Sequence, residues 1–378
     1  MNVALAHDYL NQFGGAERFL ESLMNFFPEA PIYTLLYSEK KTLERFKHRT
    51  IKTSILNNSL IINNHRHIIP FLPLASQLIN ISDEYDLLIS STAGYAKGFS
   101  YNSQKTFHIS YCYTPLRYAW EDEEYLHTHP MFQNRPLFQQ CVKPLTSYLR
   151  TWDYSAGQKP DILIATSHFI AEKIRKNYGR DPYVIYPGTD LNTFFPEPKK
   201  RDYFLAIGRL LHYKKFDLVI DAFNTLKLPL KIAGTGPEKQ ALMARVKSPY
   251  IEFVDGNIKN DKKLRDIYSG ARALIFPQVE DFGLVAVEAI ACGTPVIAYK
   301  KGGAEEIIKE HRSGIFFNEQ TKEALIHAVH QFNSMHFNPW IVRREAESLS
   351  TDVFREQFLA VIEDYTTLRR ERLSRMAV

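Results

Sequence analysis

Short apolar runs closed by Gly, Pro or charged turns alternate with amphipathic stretches along the whole chain. An apolar run of this kind reads as a buried parallel strand, and a stretch with a period of about 3.6 residues as a helix packed against it. In the first half, strands are predicted at Asn2–His7, Ile32–Tyr37, Tyr85–Ser90, Phe107–Tyr111, Asp161–Thr166 and Tyr183–Tyr186. In the second half they are predicted at 203–207, ending at Gly208-Arg209, and at Leu230–Ala233, Ile251–Val254, Ala273–Pro277, Val296–Tyr299 and Gly314–Phe317. Helices follow the glycine pair Gly14-Gly15 and cover His168–Tyr178, Phe216–Leu226, Glu238–Val246, Lys262–Gly270 and Leu284–Cys292. Between Thr50 and Ile81 the pattern loosens into apolar residues mixed with Asn. The alternation predicts an α/β protein with two open parallel sheets, and ligands in the crevice where the carboxyl ends of the strands face each other. The expected division is 1–195, a Pro- and charge-rich linker at 196–202, a second domain at 203–355 and a C-terminal helix and tail at 356–378, the helix crossing back to the first domain.

The stretch Ala273–Tyr299 is one strand–turn–helix–strand unit, closed by Gly293 and Pro295. Glu280 falls in the turn after its first strand, and Glu288 interrupts an otherwise apolar helix. The amides of Phe282, Gly283 and Leu284 would stand at the helix N-terminus, where an anionic or hydroxylated ligand can be held. The plainer alternative is that Glu280 favours the helix dipole and Glu288 faces solvent. Gly14-Gly15 likewise reads either as a tight turn or as a close backbone approach to a ligand.

Composition narrows the class. The 378 residues carry 47 Lys and Arg against 42 Asp and Glu, a net charge of +5, which does not indicate a nucleic-acid protein. Cys112, Cys141 and Cys292 are odd in number and widely spaced, which suits a reducing cytosol rather than a disulfide framework or a metal site. The start has no secretory pattern, and the apolar region Ile68–Ile81 is broken by Pro70 and Pro73, so no span is expected. Two basic features leave a membrane surface open as a partner: the cluster His65-Arg66-His67 within the loosened segment, and the terminal RRERLSR. Solvated surface is the alternative for both.

The motifs HDYLNQFGGAE, YTPLRYAW, IATSHFIAEKIRKNYG, IGRLLHYKKFDLVIDAF, IAGTGPE, VEDFGLVAVEAIACGTPVIAY and GGAEEII, in this order, resemble the retaining glycosyltransferases of family 4, which have the GT-B fold of two Rossmann-like domains. The first half is similar to bacterial mannosyltransferases of O-antigen and exopolysaccharide synthesis. The resemblance implies a nucleotide sugar as donor, GDP-mannose or a UDP-sugar, and a glycan or lipid-linked acceptor on the cytoplasmic face of the inner membrane. It implies no metal and no other cofactor. Arg209 and Lys214 match the pair that clamps the pyrophosphate, and Glu280 the carboxylate that accepts from the sugar hydroxyls. Lys215 stands where the family usually has glycine, so either lysine could make the contact. Glu288 matches the residue that binds the ribose diol, while Gly15, Gly208, Gly234, Gly236, Phe282, Gly283 and Leu284 match the donor loops. Gly14, His7, Asp8 and Arg117 are expected on the acceptor side. Tyr113 replaces a His that in the subgroup contacts the donor sugar; it can donate a hydrogen bond but cannot become a cation near neutral pH. Other classes considered are a sugar-nucleotide hydrolase or epimerase, a silent binding subunit and a dinucleotide oxidoreductase. FGGAE lacks the GxGxxG spacing of the last.

Overall fold

A computed structural model describes residues 1–121, 142–254 and 260–376, with side chains to residue 365. Cys141, the acidic residues after Glu121 and the side chains of the terminal RRERLSR lie outside the described residues. The chain divides into two compact units, Met1–Ile185 with Val361–Val378, and Tyr186–Ala360.

The first unit is built on a seven-stranded sheet. Its strands are β1 Val3–Leu10, β2 Ile32–Tyr37, β3 Ile51–Thr53, β4 Leu87–Thr92, β5 Phe107–Cys112, β6 Ile162–Ala165 and β7 Tyr183–Val184, in the order β3-β2-β1-β4-β5-β6-β7. Every described pairing is parallel. β1 pairs with β2 on one side and β4 on the other, so the chain changes direction across the sheet between β1 and β4. The loosened segment after β3 forms two short helices, Ser59–Asn64 and Leu72–Gln77, joined by a 3-10 stretch at His65–Phe71. Val142–Gln158 is a helix that the sequence pattern did not predict. Its buried side includes Thr146 and Asp153 beside Leu149 and Trp152, and those polar positions break the apolar period.

The second unit holds six strands: β8 Tyr203–Ile207, β9 Leu230–Ala233, β10 Ile251–Val254, β11 Ala271–Phe276, β12 Val296–Tyr299 and β13 Gly314–Phe317. Their order is β10-β9-β8-β11-β12-β13, again all parallel. Successive side chains of a strand point to opposite faces, and the core follows that rule. Leu205, Leu274, Phe276 and Val296 pack under the helices Asp261–Ser269 and Leu284–Ala291. Phe204, Ala206, Ile232, Ala273 and Ile297 pack on the other side with helices Phe216–Leu226 and Lys322–Asn333. Both faces are covered, which is why these strands read as continuous apolar runs.

The division of the chain differs from the boundaries expected at 195/203 and 355/356. Residues 186–202 belong to the second unit because they are tied to it. Arg201 donates to Ala271 O (3.0 Å), Thr294 Oγ1 (2.7 Å) and Cys292 O (3.1 Å). Glu197 pairs with Arg265 at 2.6 Å. Thr189 forms a parallel bridge with Ser350, and any Cβ on Gly188 would lie 2.6 Å from Thr351 Cα. The last helix, Thr351–Met376, starts in the second unit and ends in the first. There Tyr365 packs on Phe107 at 4.3 Å and donates to Asp86 O.

Candidate active site

In the second unit the sheet order reverses between β8 and β11, and ligands of open α/β sheets bind outside the carboxyl ends of the strands at such a point. The two loops that leave these ends carry the expected residues. After β8 come Gly208, Arg209 and a 3-10 turn at His212–Lys214; after β11 come Gln278, Glu280, Phe282 and Gly283. The Lys214 ammonium donates to Glu280 Oε1, joining the two loops across the reversal point, and both side chains are largely sheltered from solvent. The buried Gln278 side chain, absent from the sequence expectations, also donates to Glu280 Oε1 (3.3 Å). Arg209 stands on the same loop with its side chain exposed.

Lys215 has φ +55° and occupies the N-cap position of helix Phe216–Leu226. This left-handed backbone favours glycine, which gives a physical reason for the family's preference there. Of the two lysines, Lys214 is the one that reaches Glu280.

Glycines set the shape of the site. A Cβ on Gly234 would overlap Gly208 O, and one on Gly236 would overlap Leu210 O, so the GTGP turn lies directly on the β8 loop. Gly303 N donates to Glu280 O (2.8 Å), and a Cβ there would overlap the Phe282 carbonyl. Gly302 and Gly303 therefore let the loop after β12 press on the backbone that carries Glu280. Gly283, at φ +111°, opens helix Leu284–Ala291, whose first amides lack intrahelical partners by its geometry. Phe282 stacks on Tyr186 at 5.5 Å. Glu288 is buried and accepts from Tyr268 OH (2.8 Å), a partner that nothing local in the sequence announced. Its charge, with burial the larger cause, pushes the nearby Cys292 thiol up to about 12.

The first unit places its expected residues at its own reversal point, between β1 and β4. His7 and Ser91 are register partners, and His7 Nδ1 lies 2.9 Å from Ser91 Oγ. Ser91 Oγ lies 2.8 Å from Tyr113 OH, which also donates to Ala16 O (3.2 Å) in the first turn of helix Gly15–Phe26. Burial lowers the His7 pKa to about 4 despite the adjacent Asp8, so the imidazole is neutral at pH 7. Asp8 accepts from Thr92 Oγ1 (2.8 Å) and from the amides of Ala93, Tyr95 and Ala96 (2.6–2.8 Å), holding the turn after β4. Gly14 N donates to Glu17 Oε2 at 2.8 Å, so this amide meets an internal carboxylate. Arg117 opens the short helix Arg117–Trp120.

One buried constellation in this unit escaped sequence reasoning. Lys97 and Asp153, both fully buried, pair at 2.7 Å. Asp153 Oδ2 accepts from Leu116 N (3.2 Å), Trp120 Nε1 (2.8 Å) and Tyr178 OH (2.8 Å). It thereby anchors the segment that carries Arg117. Among the described residues no three His, Cys, Asp or Glu side chains cluster as a metal site would require.

Comparison with known proteins places this geometry in a class. Residues 13–193 match the family model described as Glycosyltransferase Family 4, and residues 190–337 the model described as Glycosyl transferases group 1. The fold is GT-B: the sucrose-phosphate synthase of Thermosynechococcus elongatus aligns over 97% of this chain and 100% of its own, with TM-score 0.70 and 15% identity. Anabaena Alr3699/HepE in complex with UDP-glucose aligns over 96% and 100%, with TM-score 0.69 and 16% identity. The chain thus carries a stretch similar to the Glycosyltransferase Family 4 model followed by one similar to the Glycosyl transferases group 1 model. Among curated relatives, a mannosylfructose-phosphate synthase of Agrobacterium fabrum is 32% identical over 196 residues, 44% of this chain and 43% of that protein. A D-inositol 3-phosphate glycosyltransferase of Streptomyces bingchenggensis is 33% identical over 189 residues, 41% of each. The chain thus spans less than half the length of these relatives.

Proposed function

We propose that this protein is a retaining hexosyltransferase that moves a sugar, mannose from GDP-mannose, to a lipid-linked or growing cell-envelope glycan at the inner face of the membrane. The observation that carries the reading is the Lys214–Glu280 pair, which joins the loops after β8 and β11 where the strand order reverses. Without ligand, the Glu280 carboxylate stands at the lysine as a phosphate oxygen would. When the donor binds, Lys214 and Arg209 turn to its diphosphate, and Glu280 is released to accept from the sugar hydroxyls. Glu288 accepts from the ribose diol.

In the reaction the bond from the anomeric carbon to the diphosphate oxygen breaks, and the nucleoside diphosphate leaves with the electron pair. The acceptor oxygen forms its bond on the same face, and its proton passes to the departing phosphate oxygen. Charge grows on the leaving group in the transition state, so fixed cations beside it accelerate the step. Arg supplies a fork of donors and Lys a point charge. No side chain is needed as general base and no metal as Lewis acid, so a chelator should leave the rate unchanged.

Support for mannose comes from the first-half motifs and from the relative named as a mannosylfructose-phosphate synthase. A UDP-sugar is the second reading, favoured by the fold neighbour in complex with UDP-glucose. Thermal shift separates them, because a ligand that binds only the native state raises Tm with its concentration. Stabilisation by GDP and not by UDP is expected; stabilisation by UDP alone would overturn the mannose assignment. A hydrolase or epimerase would consume nucleotide sugar equally fast with and without acceptor, whereas the transferase needs acceptor.

A further inference from the structure

In the second unit, the backbone of the loop after β11 is clamped on both sides of Gln278. Before it, Gln320 Nε2 donates to Pro277 O (2.8 Å). After it, Gly303 N donates to Glu280 O (2.8 Å), and Glu280 forms a parallel bridge with Gly302. The clamps come from the chain beyond β13 and beyond β12, so two further strand ends fix the base of this side chain. Gln278 itself is 5% exposed and ends an apolar run. A buried amide needs a partner, and here it is Glu280, whose Oε1 accepts from Gln278 Nε2 at 3.3 Å. An ionised carboxylate only accepts, so the amide must face it with its NH2 group rather than its carbonyl.

Lys214 donates to the same oxygen, so both donors on the Glu280 carboxylate among the described residues meet Oε1. They differ in charge, and that decides what each does when an anion arrives. The lysine ammonium is a point charge on a flexible stem and is drawn to a diphosphate. The neutral amide feels that pull far less, and its base cannot follow. A carboxylate that has lost its counter-ion turns easily about χ3, because that torsion is broad and two-fold. A donor that stays on one oxygen removes this freedom.

We infer that Gln278 is a positioning residue of this site: its amide stays on Glu280 Oε1 when Lys214 turns to the diphosphate, and it sets the plane of the carboxylate that meets the sugar hydroxyls. The inference rests on the function proposed above. Oε1 then already holds one donor, and Oε2 is the oxygen turned to the sugar. The plane of the carboxylate selects which hydroxyls can reach it, so Gln278 contributes to the choice between sugars that differ at one carbon. A site built to bond a hydroxyl rejects the analogue that lacks it, and Gln278 is what keeps the site so built. An amide that merely filled space would have no such effect.

Transfer from the nucleotide sugar and from its monodeoxy analogues to an extract of lipid-linked glycans tests this. The donors are GDP-mannose and its analogues, or the UDP-sugar series if UDP is the nucleotide that binds. Two variants, Gln278→Met and Gln278→Glu, keep the length of the side chain. Met offers no donor, and Glu offers none when ionised. Each should bind the nucleoside diphosphate as wild type does by calorimetry, which also shows that it is folded, while kcat/KM falls about tenfold. The hydroxyl whose removal costs wild type most should matter about tenfold less in Gln278→Met, the coupling that a double-mutant cycle reads. Wild-type kcat/KM in both variants, a loss with the deoxy penalties undiminished, or an equal loss of nucleoside diphosphate binding would each overturn the inference. The two proposals fail distinguishably. A wild type that transfers no sugar, or a Glu280→Ala variant that keeps its rate, removes the proposed function and this inference with it. Wild-type behaviour of Gln278→Met in an enzyme that needs Glu280 removes this inference alone.

Discussion

At the residue scale, the candidate site turns on a cation and an anion, Lys214 and Glu280, that hold each other across two loops. Lys214 and Glu280 each lose a partner if the other is truncated, so both single variants should impair the same step. Replacing either by Ala is expected to lower turnover by two to three orders of magnitude, roughly 3–4 kcal/mol, as for other lost transition-state contacts. Steady-state assay with donor and acceptor reads this, and wild-type turnover in either variant would remove the residue from the machinery. Glu280 stood out in its turn from the sequence pattern and Lys214 from the family resemblance, and the structure brings these two side chains together. Others were legible in position but not in use. Asp8 sits in the first loop as expected, yet its carboxylate is saturated by the turn after β4. Tyr113 reaches Ser91 and the start of helix Gly15–Phe26 within its own unit. Tyr268 and Gln278 were missed because a partner twenty residues away, or an amide beside a conspicuous acid, leaves no local signal.

At the scale of elements, strands with both faces buried announce themselves, and β2, β9, β10, β12 and β13 fall where the apolar runs place them. Helix His168–Tyr178 likewise begins at the Ser167 cap and ends at Gly179 with φ +65°, both readable signals. Helix Val142–Gln158 was not readable, because Thr146 and Asp153 lie on its buried side. Asp153 is buried for a reason that only the fold reveals, its pairing with Lys97 fifty-six positions earlier (153 − 97). Removing one partner of a buried pair strands the other charge, so Asp153→Ala should cost about 3–5 kcal/mol. Urea unfolding measures it, and a loss under about 1 kcal/mol would show that the pair is dispensable. The variant should also loosen Leu116 and Trp120, which hydrogen-bond to the same carboxylate.

At the scale of the whole molecule, the two-sheet α/β architecture was fully legible, because alternating strands and helices admit few arrangements. The division of the chain was less so: a Pro- and Lys-rich stretch reads as a linker, and only Arg201 and Glu197 reveal that it is strapped to the second unit. Stability should also carry a pH signature. Burial lowers His7 to about 4 and His108 to about 3 from 6.5, so below pH 6.5 the unfolded chain binds protons that the folded one refuses. Their stabilisation is complete above 6.5 and is lost as pH falls towards those values, about 3 kcal/mol for His7. The urea midpoint should therefore drop steadily from pH 7 to pH 4, and a flat profile would contradict the buried neutral imidazoles. The proposed function depends on where a nucleoside diphosphate lies, which a crystal structure of that complex determines directly. The diphosphate is expected outside the carboxyl ends of β8 and β11, with its terminal phosphate within hydrogen-bond reach of Lys214 Nζ and the Lys214–Glu280 contact opened. A diphosphate bound elsewhere, with that contact intact, would contradict it.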